Sequence, residues 1–204
     1  MVAEEFELYK RLAWERILRD KEIGYLDPDI FDVLEVINRR PKAFTMSSCS
    51  GRVTIVDAEF PWDRKESSVV FKNHLRVTVE DLRDNLSRRP RKRYWLIVQG
   101  PIFHVYTRDL NEAWTVLSVA RAVGFKHSGL MVANRKGYLV ELRTGVRMDH
   151  LLTDGQNLEE LAEQAMRVLM KGKERKERLK LAFLSLKPDE PVELGENPVG
   201  KALD

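Results

Sequence analysis

An α+β fold in a single domain, built as a mixed β-sheet with flanking helices, is what the 204-residue sequence predicts. Three observations carry that expectation. Apolar residues recur at helical spacing in some segments and alternate in others, and the two kinds of segment are interleaved along the chain. The apolar fraction of 43%, beside 33% charged residues, suits one substantial hydrophobic core under a solvated surface. Neither a Walker loop nor a Gly-x-Gly-x-x-Gly after a strand occurs, which argues against a doubly wound nucleotide-binding fold.

Taken in order, Phe6, Tyr9, Ala13 and Ile17 recur between charged residues and predict an amphipathic helix over the first twenty-odd positions. In "DPDIFDVLEVINRR", Asp27 as N-cap, Pro28 at the first helical position and Pro41 beyond the end predict a second helix. Strands are expected through Val53–Glu59 and Val69–Lys72. Thr78 followed three residues later by Asp81 is a capping-box pattern, opening a helix to about Arg88 that Pro90 stops. "YWLIVQGPIFHVYT", Tyr94 to Thr107, is aromatic and β-branched and is broken by Gly100-Pro101, so it reads as two strands or one bent strand of the central sheet. Asp109 and Glu112 start the next helix; Leu110, Ala113, Leu117 and Ala120 form its apolar stripe and Gly124 ends it. "SGLMVANRKGYLVELRTG" predicts a hairpin turning near Asn134–Gly137, and a short strand follows from Val146 to about Leu151. From Asn157 a long helix turns Leu158, Leu161, Ala165, Val168 and Leu169 inward. Residues 1–186 are thus expected to form one domain, and 187–204, with three prolines and two glycines, a loosely ordered tail.

Charge and cysteine content narrow the function classes. The 35 Lys and Arg nearly balance 32 Asp and Glu, so placement matters more than the net +3. Basic residues bunch in Asn38–Lys42, Ser87–Tyr94 and Lys171–Lys180, patches that suit a phosphate backbone as well as a solvated face. No run approaches the roughly 18 apolar residues of a membrane span, and the acidic start "MVAEEFELYK" is unlike a signal peptide, so a cytoplasmic protein is expected. A single cysteine excludes an internal disulfide, and the four histidines do not join it at a zinc-ligand spacing. No metal and no stable protein partner are expected.

The stretch "FTMSSCSGRVTI", Phe44 to Ile55, gathers three serines, the only cysteine, a glycine and an arginine. A phosphatase-type loop needs a longer spacer than the two residues between Cys49 and Arg52, and Cys49 has no base beside it. A nucleophile elbow fails because Met46 stands where its first glycine belongs. What remains is a turn of small residues that can offer N–H groups and hydroxyls to a polar or anionic ligand, with Arg52 for a carboxylate or phosphate. The same composition suits a plain Ser-rich turn. Further candidates are His104, on the strand face opposite Phe103 and Val105; Lys72 and His74 at a strand end; Lys126, His127 and Ser128 after the Gly124 helix stop; and Glu141 and Arg143, which share one face of their strand. Each also has a plain structural reading, cross-strand pairing among them.

Taken together, "FTMSSCSGRVTI", "WLIVQGPIFHVYTRDLNEA" and "ARAVGFKHSGLMVANRKGYLVELRTGVRMD" resemble, in order and spacing, the archaeal and eukaryotic wybutosine-synthesis tRNA methyltransferase family. The resemblance covers Phe44 to Asp149 densely and the N-terminal helices more loosely. It implies methylation, dependent on S-adenosylmethionine, of N4 of the tricyclic 4-demethylwyosine-type base 3′ to the anticodon of tRNA-Phe, on a fold unlike the Rossmann methyltransferases. The family's motif residues correspond to Ser47, Ser48, Cys49, Ser50, Gly51 and Arg52, to His104, to Lys126 and Ser128, and to Glu141 and Arg143, with Lys72 and His74 as a looser element.

On that reading Ser47, Ser48, Ser50, Gly51 and Arg52 hold a polar end of the donor or a tRNA phosphate, and Lys72, His74, Lys126, Ser128, Glu141 and Arg143 hold the substrate. His104 is the first candidate for a base that takes the ring nitrogen's proton, and Asp57 the second. Tyr106 and Trp62 are candidates for stacking on the splayed base. The basic segments Arg88–Arg93 and Lys171–Lys180 are expected to track the anticodon arm, with steeply salt-dependent tRNA binding. Two rival readings are a non-catalytic RNA-binding module whose Ser/Arg turn holds phosphate, and a small-molecule hydrolase.

Overall fold

Strand pairing in the computed structural model, which describes residues 3–63 and 65–187, keeps the α+β class but replaces the expected mixed sheet by two antiparallel ones. The strands are β1 (Ala43–Cys49), β2 (Arg52–Asp57), β3 (Ser68–Asn73), β4 (Tyr94–Gln99), β5 (Ile102–Thr107), β6 (Gly129–Asn134), β7 (Gly137–Arg143) and β8 (Arg147–Leu151). The first sheet has the order β1-β5-β7-β6 and the second β3-β2-β4-β8. Five helices accompany them: α1 (Ala3–Glu22), α2 (Phe31–Asn38), α3 (Val79–Leu86), α4 (Leu110–Ala122) and α5 (Leu158–Ser185).

The expectation of one sheet failed for a specific reason. β1 and β2 are separated by Ser50-Gly51, and β4 and β5 by Gly100-Pro101, both of hairpin length, yet each pair is divided between sheets. Alternation fixes which face a strand buries; it does not fix the partner. The same positions divide the chain into two compact units: residues 1–50, 101–145 and 174–204 make the first, and 51–100 with 146–173 the second. Neither is a continuous segment, so the expected domain over residues 1–186 consists of two interleaved parts. The tail expected from 187 onward lies, beyond Lys187, outside the described residues.

In the first unit, one face of the first sheet is apolar and lies in a core with α2, α4 and the last turns of α5. Phe103, Val105, Val140 and Leu142 from the strands join Val33, Leu34 and Ile37 of α2 and Leu179, Ala182 and Phe183 of α5. α4 contributes Ala113, Val116, Leu117 and Ala120, whereas Leu110, expected in that stripe, is exposed at its first position. On the other face α1 lays Phe6 against Phe44 (centroids 5.2 Å apart), and Phe44 stacks on Tyr106 at 5.5 Å. Burying side chains of this size stabilises by roughly 1.5–3 kcal/mol each.

The second unit has its own core. Val53, Ile55, Leu96 and Val98 on one face of the second sheet meet Leu161, Ala162, Ala165 and Leu169 of α5. The Thr78–Asp81 capping box forms as expected, with reciprocal bonds of 3.1 and 2.9 Å at the start of α3.

Three polar expectations are revised within the first unit. α2 begins at Phe31 rather than after Asp27, with Ile30 at its N-cap, and the Asp27 carboxylate instead accepts the Ser50 N–H at 2.8 Å. Glu112 does not complete a capping box at Asp109. Its carboxylate forms a buried bidentate pair with Arg40, with Nη2 to Oε2 at 3.0 Å and side chains 3% and 6% exposed. In the basic stretch of α5 several cations are spent on the protein itself. The buried Lys176 meets Asp29 at 2.8 Å, Arg175 donates to the Val123 carbonyl at 3.2 Å, and Arg178 pairs with Glu174 and Lys180 with Glu177. The expected RNA-tracking role of Lys171–Lys180 therefore loses much of its charge.

Removing one partner of a buried pair leaves the other uncompensated, so Glu112→Ala is expected to cost about 3–5 kcal/mol in a chemical-denaturation midpoint measurement. Replacing both partners together, as Arg40→Met with Glu112→Leu, is expected to recover most of that loss.

Candidate functional site

Register places His104 and Glu141 directly opposite one another on β5 and β7, on the face of the first sheet turned away from the α2–α4 core. Ile102 and Arg143 form the next same-face pair along, and Tyr106 and Leu139, covered by α1, the previous one. β1 adds a bulge: Thr45 pairs with Val105 and Ser48 with Phe103, so Met46 and Ser47 together stand opposite His104. The extra residue brings the Ser47 carbonyl to 2.8 Å from His104 Nδ1, while Nε2 lies 3.1 Å from Glu141 Oε2. The His104 side chain is 30% exposed and that of Glu141 20%.

A carbonyl and a carboxylate are both acceptors, so the ring makes both bonds only with a proton on each nitrogen. His104 in this arrangement presents no lone pair of its own. The second oxygen of Glu141 has no partner among the described residues, so it is the open proton-accepting atom of the pair.

The Gly124–Ser128 connection is tied to the same end of β7. Ser128 is buried; its hydroxyl donates to the Phe125 carbonyl at 2.6 Å and accepts the Arg143 N–H at 3.0 Å, and His127 N–H donates to the Arg143 carbonyl. Ser128 thus fixes the loop and is removed from the substrate-contacting set, whereas Lys126 is exposed and Arg143 half-buried. Tyr106 leaves the stacking candidates, since it is buried on Phe44 and its hydroxyl accepts from Asn134 Nδ2 at 3.3 Å.

The Ser47–Arg52 stretch is not a hairpin turn but the place where the chain passes from one sheet to the other. In the first unit Ser47 is exposed, Ser48 and Cys49 are half-buried, Cys49 is a free thiol, and Ser50 is fully buried. In the second unit Gly51, at φ +91°, has its carbonyl within 3.1 Å of His74 Nδ1 and 3.4 Å of Lys173 Nζ. That φ explains the glycine, because a side chain there would be strained. Ser50 and Gly51 therefore serve the backbone, and the accessible side chains of the stretch are Ser47, Ser48, Cys49 and Arg52. Asp27, which holds Ser50, carried only the signal of a helix N-cap, and the buried Lys173, which holds Gly51, had nothing in sequence to set it apart within its basic run.

Also in the second unit, Lys72 is exposed on the edge strand β3. Asp57 is 7% exposed, and its two carboxylate oxygens accept the N–H groups of Arg91 at 2.7 Å and Lys92 at 2.9 Å. Both oxygens being committed to backbone, Asp57 is an anchor for the basic segment and not a base. A separate recess of about 380 Å³ beside α1 and α2 is lined by Glu7, Lys10, Arg11, Trp14, Glu35, Asn38 and Arg39, of which only Asn38 and Arg39, in the first basic bunch, were marked by sequence. Burial depresses the Lys10 ammonium below its usual range there, against the raising effect of Glu7 and Glu112.

Comparison with known proteins gives this arrangement a setting. The model of the family described as Methyltransferase TYW3 matches residues 7–185. A protein of Saccharolobus solfataricus named tRNA(Phe) 7-((3-amino-3-carboxypropyl)-4-demethylwyosine(37)-N(4))-methyltransferase is 49% identical over 200 residues, covering 94% of this chain and 95% of its own length. The protein of the same name from Thermococcus sibiricus is 36% identical, covering 74% and 77%. Among solved structures, the PH1069 protein from Pyrococcus horikoshii superimposes with a TM-score of 0.82 at 29% identity, over 90% of this chain and 98% of that one. Because the family match runs through both units and includes every motif that converges on the His104–Glu141 face, the chain belongs to the Methyltransferase TYW3 family.

Proposed function

We propose that the chain methylates N4 of 7-(3-amino-3-carboxypropyl)-4-demethylwyosine at position 37 of tRNA(Phe), with S-adenosylmethionine as donor and the outer face of the first sheet as the reacting surface. The observation that supports this most strongly is the convergence of separate sequence motifs, from β1, β5, β7 and the α4–β6 loop, on the His104–Glu141 pair. With tRNA as substrate and a free thiol at Cys49, the fitting compartment is the cytoplasm.

S-adenosylmethionine supplies an electrophilic methyl group on a cationic sulfur, together with hydroxyls and an amino-acid end that require hydrogen-bonding partners. The residues present fit such a molecule. In the first unit the exposed Ser47 and half-buried Ser48 offer hydroxyls; in the second, Arg52 carries a guanidinium suited to a carboxylate or to a tRNA phosphate. The chain's remaining task is the proton on N4. Glu141 receives it at the open oxygen, and His104, held between the Ser47 carbonyl and Glu141, fixes that carboxylate in place. Arg143 and Lys126 orient the substrate through charge.

A labelled-methyl transfer assay with tRNA from a strain lacking the gene tests the reading. Donor-dependent incorporation at position 37 is the expected result; RNA binding without incorporation would leave the RNA-binding module in its place. In single-turnover experiments His104→Ala and Glu141→Gln are each expected to slow methylation by about 10²–10⁴-fold while tRNA affinity stays near the parent value. Because the two act as one unit, the double variant should be little worse than either single one. Arg52→Ala is expected to weaken binding of the donor or of tRNA by roughly tenfold, and equilibrium titrations with each ligand identify which.

A further inference from the structure

An exposed pair of aromatic rings in the second unit has no part in the chemistry above. Phe60 and Trp62 flank Pro61 in the loop after β2, with ring centroids 5.1 Å apart and planes 2° from parallel. They are 43% and 69% exposed. The arrangement is built rather than incidental. Asp63 N–H donates to the Phe60 carbonyl at 3.1 Å and the Asp63 carboxylate accepts the Phe60 N–H at 3.2 Å, closing a four-residue turn with proline at its second position. Further on, Glu66 holds a positive φ of 58°, which only glycine adopts without cost, and is tied to Lys92 Nζ at 2.9 Å.

The loop is laced to the most basic segment of this unit. Asp57 accepts from the Arg91 and Lys92 N–H groups, Ala58 N–H donates to the Arg93 carbonyl at 3.0 Å, and Arg93 pairs with Glu59 at 3.3 Å. While Lys92 and Arg93 are spent on the loop, Arg88, Arg89 and Arg91 are exposed and have no carboxylate partner among the described residues. Flat, exposed rings beside unneutralised guanidinium groups are the chemistry that receives unpaired nucleobases and their phosphates.

We propose that the Phe60–Trp62 stack is a platform for an unpaired base of the tRNA anticodon loop, with Arg88, Arg89 and Arg91 on the adjoining phosphates. An open stack offers a π-face but no wall, so it holds a base without enclosing it. The proposal rests on the reading of the chain as a tRNA methyltransferase.

The test is the affinity of the full-length protein for tRNA(Phe) and for the same RNA with its loop paired to a complementary oligonucleotide. Trp62→Ala is expected to weaken binding of the open loop about tenfold, Trp62→Phe to restore most of it, and neither to change binding of the paired form. Equal affinity of Trp62→Ala and the parent for the open loop overturns the platform. So does loss of a concentration-dependent self-association in Trp62→Ala at unchanged RNA affinity, which would assign the rings to a contact between protein copies. Methyl transfer by the parent protein is measured alongside. Its absence would count against the methyltransferase reading, whereas its presence with unaltered Trp62→Ala binding would count against the platform alone.

Discussion

β5 is paired on both edges, to β1 and to β7, and its register decides at once what the first unit buries and what it offers to a ligand. Phe103 and Val105 point into the core, and His104 between them stands on the other face, where Glu141 meets it. A slip of one residue would put the imidazole into the apolar core and two large apolar side chains outside. The free energy of burying Phe103, Val105, Val140 and Leu142 therefore also holds the His104–Glu141 pair in place. β1 cannot be perfectly regular against this strand, since the bulge is what aims the Ser47 carbonyl at Nδ1. The geometry of the His104–Glu141 pair and the packing of the core rest here on one set of cross-strand pairs.

Charge in this protein divides by partner rather than by count. The lysines and arginines of α5 look in sequence like a long basic face, but burial and nearby carboxylates spend Lys176, Arg178 and Lys180 on the protein itself. Arg88, Arg89 and Arg91 occupy a loop held from beneath by Asp57, which binds backbone N–H groups and leaves the side chains outward. A carboxylate that neutralises no guanidinium yet fixes the segment carrying several is an economical way to present positive charge.

The legible part of the fold was local. Helix spacing in α1, the capping box of α3, the Asp109 cap and Gly124 stop of α4, and the β6–β7 hairpin all follow from patterns spanning a few residues, because the forces that set them act over the same range. The division into two sheets was not legible, since Ser50-Gly51 and Gly100-Pro101 look like hairpin turns and only tertiary pairing shows otherwise. Among site residues the pattern repeats. Alternation placed His104 and Glu141 on usable faces, but only the register made them a pair. Ser128 and Asp57 shared the polar character of ligand contacts while their bonds go to backbone, a distinction invisible without coordinates. Tyr106 looked like a stacking residue because aromatic character is the same in a core and on a surface.

The two kinds of contact proposed above, proton transfer and base stacking, differ in how much positional error they tolerate, and the elements that carry the proposed residues differ in the same way. Moving a proton requires donor and acceptor within about 2.6–3.2 Å, and a displacement of an ångström is costly. His104, Glu141 and Ser47 accordingly sit on paired strands backed by a packed core. Stacking a base on a ring accepts any base and some sliding. Phe60 and Trp62 can therefore stand on a loop whose shape depends on a turn, a proline and a few surface bonds. Under the two proposals, paired strands carry the contact with the shorter tolerance, and a surface loop carries the one that needs only a flat surface and a negative backbone.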